Sequence, residues 1–190
     1  GLVNASVQLN SSLRALHTAR VAVRLFAALA ELLRDRPYLS EESPVAEAYE
    51  DRLKSGADCL QRDLDGMPMA LKSGFVDRPV PWQLFGQTLA LALAHSGLEE
   101  ALDTRRIWGL DFRLRGLEQL SSDQLFFVYY ALDNCQRADG QALRRLSSPL
   151  PGQERVNVPL RNWPPFGRHW GCQPGQAMVA PRACALLRPA

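Results

Sequence analysis

The chain has 190 residues, of which 46% are hydrophobic and 22% charged. That length suffices for one domain with its own core, and that composition excludes wholesale disorder. The 22 Lys and Arg against 20 Asp and Glu leave a net charge of +2, which gives no electrostatic case for nucleic acid. Neither a zinc-finger spacing nor an RNA-binding signature accompanies it.

In chain order, Leu2 to Leu9 alternates loosely and is read as one short strand. Leu13 to about Arg34 follows at helical spacing, with Pro37 just past its end. This segment holds the longest apolar stretch, Val21 to Leu33, which is too short to span a bilayer. Ser43-Pro44 opens a second helix running to about Leu64. Residues 65–83, punctuated by Gly66, Pro68, Gly74, Pro79 and Pro81, are expected to be loop. Leu84 to Leu102 is read as a third helix, buried on most sides because Leu89 to Leu93 carries no charge. Ser121 to Gln124 caps a fourth, Gln124 to Gln136, whose Phe126, Phe127, Tyr129 and Tyr130 belong mostly to a core. From Ser147 the chain is rich in Pro and Gly, with one short helix around Pro164 to Trp170. The expectation is one mainly α unit over residues 1–190, with a loop-rich C-terminal tail and at most one strand.

Cys59, Cys135, Cys172 and Cys184 are widely spaced with no CxxC pair. That usage fits a secreted disulfide set better than a zinc site, and four cysteines allow three pairings. The sequons at Asn4 and Asn10 point the same way, towards an extracellular glycoprotein. Gly1 opens on ordinary polar sequence without a signal peptide, which suggests a mature chain or a fragment.

Two motifs stand out. One runs from Leu117 through Ser121, Asp123, Gln124, Leu125, Phe126 and Phe127 to Cys135. The other runs from Arg155-Val156-Asn157-Val158-Pro159-Leu160-Arg161-Asn162 through Phe166, Cys172, Gly175 and Met178 to Cys184. With the order of the cysteines, they resemble the C-terminal half of the catalytic region in the neprilysin and endothelin-converting-enzyme family of zinc metallopeptidases, most strongly over residues 50–184. The resemblance implies a helical, thermolysin-like (gluzincin-type) lobe. It also implies a Cys59–Cys184 disulfide. The family's partners for Cys135 and Cys172 lie in a part of the ectodomain that this chain does not contain, so these two either pair with each other or belong to a larger protein.

The same resemblance implies a zinc held by a helical HExxH pair and a third Glu. Here Arg20, Val21 and Arg24 stand at the HExxH positions, Leu91 at the third ligand, His95 at the Asp behind it, and Pro149 at the transition-state His. Guanidinium groups have no lone pair for a cation, and Val21 cannot move a proton. Arg155, which faces substrate in the family, is retained. Asn4-Ala5 is similar to the family's substrate-clamping edge strand, and a glycan on Asn4 would block that edge. His17, His95 and His169 are read as surface or core histidines with no His or Glu at metal-binding spacing. No serine or cysteine nucleophile motif replaces the lost site.

Arg20 and Arg24 either form ion pairs filling a defunct site or converge with Arg155 on a carboxylate ligand. The functional expectation is an extracellular, catalytically inactive metallopeptidase-like protein that holds no zinc and binds a peptide or protein. The partner could be an active relative or the rest of a larger ectodomain. The alternative is a fragment or divergent member of an active zinc endopeptidase. Zinc content is the observation expected to separate them.

Overall fold

A computed structural model describes residues 11–35, 44–74, 76, 79–107, 113–135 and 150–186. The expected strand at Leu2 to Leu9, Asn4, Ala5, Asn10 and Pro149 lie outside these residues. Among the described residues the secondary structure is entirely helical, as expected for this class of lobe. The first helical run is α1 (Ser11–His17), a π-helical turn (Thr18–Ala22) and α2 (Val23–Asp35). Then come α3 (Pro44–Gly66), α4 (Pro81–Ile107), α5 (Ser122–Asp133), α6 (Gly152–Arg161) and α7 (Pro164–Trp170).

Helix α4 is the axis of the molecule, packing on α1, α2, α3, α5 and α6. Its charge-free run explains why: Leu89, Ala90, Leu91 and Ala92 are all buried, and only Leu93 reaches solvent. One core cluster forms where Leu91, Ala94 and Leu98 meet Ala15 and Ala19 of the first run and Leu125, Phe126, Phe127 and Tyr130 of α5. A second forms where Leu84, Phe85 and Leu89 meet Leu53, Ala57, Leu60 and Leu64 of α3 and Val158 of α6. At this contact a Cβ on Gly56 would come within 3.1 Å of the Phe85 ring and of the Ala185 carbonyl oxygen. Glycine therefore allows α3, α4 and the tail to approach closely.

Two differences from the sequence reading have a clear physical cause. Helix α4 begins at Pro81, because proline has no N–H to lose and a fixed φ that suits a first helical turn. Helix α6 occupies what was expected to be irregular tail, although Pro159 lies inside it. Proline there removes the hydrogen bond to the carbonyl four residues back, that of Arg155. The Tyr130 hydroxyl donates to that same carbonyl at 2.6 Å, so the helix loses no pairing. The N-terminus of α5 follows the sequence closely. The Ser121 hydroxyl accepts from the Gln124 N–H while the Gln124 side chain accepts from the Ser121 N–H, a reciprocal capping box.

The end of α6 is tied down from both sides. Asp63 of α3 accepts two bonds from the Arg161 guanidinium at 2.8 Å each and one from the Asn162 amide at 2.7 Å. Arg161 also donates to the Ala177 carbonyl, and Asn162 accepts from the Cys184 N–H. The tail is thereby laid along α3, where Cys59 and Cys184 form a disulfide with Cα atoms 5.8 Å apart. Cys135, exposed, and Cys172, half-buried, are free thiols and not a bridged pair.

Candidate functional site

Two side-chain groupings around α4 have the chemistry of a site. The first lies at the N-terminal half of that helix, where α2, the end of α5 and α6 surround it. Arg24 makes a bidentate contact with Asp133, the last residue of α5, at 2.9 and 3.0 Å. Arg20 stands 3.6 Å from the same carboxylate. Both guanidinium groups are more than half exposed, as is Val21, whereas Leu91 is fully buried in the core. None of the four offers a lone pair to a metal ion.

Arg24, Gln87, Asp133, Asn134 and Arg155 line a cavity of about 200 Å³. An adjoining cavity of about 110 Å³ extends it past Arg155 to Trp82 and Glu31. Arg155 donates to the Leu150 carbonyl at 2.8 Å. Burial lowers its guanidinium from the ordinary arginine value, with Tyr130 opposing that shift, and burial pushes the Tyr130 phenol up. Of the residues expected to converge, Arg24 and Arg155 share this cavity, while Arg20 meets Asp133. The ion-pair reading of Arg20 and Arg24 thus has its acid, Asp133, which sequence spacing did not point to.

The second grouping lies at the C-terminal half of α4. His95, fully buried, presents Nδ1 to Glu99 Oε2 at 3.4 Å and Nε2 to Asp123 Oδ1 at 3.5 Å. His169 of α7 presents Nε2 to Glu99 Oε1 and to Asp123 Oδ1, each at 3.8 Å. One donor atom from each of the four residues lies within 4.8 Å of the other three. The walls are aromatic. Phe127 stacks on the His95 ring at 4.6 Å, with Phe126 and Trp163 beside it. Gln124 links the parts: its amide donates to the His169 carbonyl at 2.9 Å, while its oxygen closes the α5 capping box next to Asp123.

This grouping corrects two expectations. His95 does have a carboxylate one helical turn away in Glu99, so it is not a lone core histidine. The expectation that the chain lacks metal ligands is also too broad. Arg20, Val21, Arg24 and Leu91 offer no lone pair, but two imidazoles and two carboxylates lie together around the C-terminal half of α4. The His95–Glu99 spacing was legible in the sequence. Asp123 and His169 arrive from α5 and α7, and no local signal places them there.

Comparison with known proteins supplies the family. The model of Peptidase family M13 matches residues 86–186, more than half of the chain. The chain belongs to Peptidase family M13. It is 40% identical over 77 residues to Neprilysin-2 of Caenorhabditis elegans, a match covering 39% of this chain and 10% of that protein. The match thus spans about a tenth of the curated relative's length. No solved structure matches. The matched residues include both motifs, Leu91, His95, Glu99, Asp123, Arg155 and His169, whereas Arg20, Val21 and Arg24 precede them.

The reaction of this family uses zinc. Arg20, Val21, Arg24 and Leu91 do not fit that ion, because the arginines carry its own sign of charge and the other two carry only hydrocarbon. No helix among the described residues is long and apolar enough to cross a membrane.

Proposed function

We propose that this chain is a peptidase-like lobe that does not hydrolyse peptides and acts by binding a peptide or protein outside the cell. The observation that carries the reading is the Arg24–Asp133 pair. Where the chemistry needs a neutral donor, an arginine stands, and its guanidinium is held by a carboxylate from the facing helix. The buried Leu91 supports the same reading at the third-ligand position. The open cavity beside Arg155 leaves room for a peptide segment. Val21, Leu25, Leu29 and Leu32 form an exposed apolar stripe at helical spacing along the first run. Such a stripe favours contact with another protein over contact with a small solute. The Cys59–Cys184 disulfide supports an oxidising compartment.

A second reading is supported by the small share of the relative that this chain matches. On that reading the chain is part of a divergent, active zinc endopeptidase whose donors come from sequence beyond these 190 residues. Incubation of the purified chain with a set of short unstructured peptides and equimolar zinc tests the proposal. The expected result is no cleavage above the chelator-treated control. Chelator-sensitive cleavage that Arg155→Ala abolishes would overturn it.

A further inference from the structure

We infer that His95, Glu99, Asp123 and His169 form a binding site for one divalent transition ion of the zinc class, structural in role and distinct from the ligand positions taken by Arg20, Arg24 and Leu91. Four observations carry this. First, both nitrogens of the fully buried His95 lack a hydrogen-bond partner. An imidazole left so in an aromatic pocket is destabilising unless something meets it. Second, the distances from His95 to its carboxylate neighbours, 3.4 and 3.5 Å, exceed the 2.7–3.2 Å of an ordinary hydrogen bond. Only one nitrogen of an imidazole can take a given ion, and the distance at that nitrogen is close to the edge of a tetrahedron: ligands about 2.0–2.1 Å from a central zinc stand roughly 3.3–3.4 Å apart.

Third, the donor set suits the ion. Two neutral imidazoles and two carboxylates balance a charge of +2 and offer the mixed nitrogen and oxygen ligands that zinc accepts. Fourth, the site is built. The Gln124 amide fixes the His169 backbone beside the α5 N-terminus that carries Asp123, and Phe127 stacks on His95. Four protein ligands leave no open coordination position, so the ion would tie α4, α5 and α7 together and not activate water.

Zinc alone is the probe. The chelator-stripped chain is titrated with zinc, with metal content, calorimetry and thermal unfolding as readouts and circular dichroism as the check on folding. His169→Gln and Glu99→Gln alter the half-exposed members of the site, and an Asp133→Asn/Arg24→Ala variant serves as the cleft control. One equivalent of zinc is expected to bind the parent chain and raise its Tm. Either cluster variant should weaken binding by at least about tenfold to a hundredfold and abolish the Tm rise, while the cleft variant changes neither. A folded parent that takes up no zinc overturns the inference. So does zinc uptake that both cluster variants leave unchanged, or that only the cleft variant reduces.

Discussion

Helix α5 carries an aspartate at each end, and the two have opposite surroundings. Asp133, at the C-terminal end, faces two exposed arginines across a solvent-open cavity. Asp123, in the first turn, is fully buried and faces two histidines inside an aromatic wall. A carboxylate between guanidinium groups is neutralised and has no use for a cation. A carboxylate among imidazoles adds to a donor set. About three turns of α5 separate a carboxylate held by arginines from one that stands among potential metal-ligating side chains. Zinc content alone therefore does not report peptidase activity in this chain. A bound ion has to be located by variants before it bears on catalysis.

The largest expected effect comes from releasing the C-terminal tail from α3. Reduction or Cys184→Ser releases a disulfide whose partners are 125 residues apart. On the chain-entropy treatment this costs roughly 4–5 kcal/mol, read as a lowered midpoint in denaturant unfolding. Trp82 lies by the cleft and Trp163 by His95, so fluorescence of single-tryptophan versions follows each end. Two separate transitions in the parent chain would break the picture of one unit.

Next in size is Asp63→Ala. It strands the buried Arg161 guanidinium and should cost about 3 kcal/mol, against which the exposed pair can be calibrated. Tyr130→Phe removes the donor to the carbonyl freed by Pro159. A loss of about 1–2 kcal/mol is expected, with the cavity around Arg155 otherwise intact. An unchanged unfolding midpoint would show that α6 does not need that bond. The smallest effect belongs to Asp133→Ala, below about 1 kcal/mol, because both arginines it holds are largely hydrated. A cost near that of Asp63→Ala would mean that the cleft pair is a structural element and would erase the contrast between the two ends.

Much of the helix pattern was legible because its signals are local. The Ser121–Gln124 capping box, the uncharged run of α4 and the Pro164-Pro165 start of α7 each act within one or two turns. Helix α6 was not legible, because Pro159 reads as a breaker until Tyr130 is seen to satisfy the carbonyl it frees. The second motif is likewise clear in sequence but not in purpose. Its Arg161 and Asn162 secure the tail to Asp63 of α3, close to the disulfide.

By itself the sequence determined the family, the helical class, the Cys59–Cys184 pairing that the resemblance implied, and the absence of metal donors at Arg20, Val21, Arg24 and Leu91. These follow from residue identity and short-range spacing, which survive without knowledge of the fold. Only the tertiary structure decided that Asp133 holds Arg24, and that His95 and Glu99 are joined by Asp123 and His169. Both outcomes depend on how α5 packs against α4 and how α7 packs against α5 and α6. That packing is set by buried apolar surface on every helix at once, and no single segment encodes it.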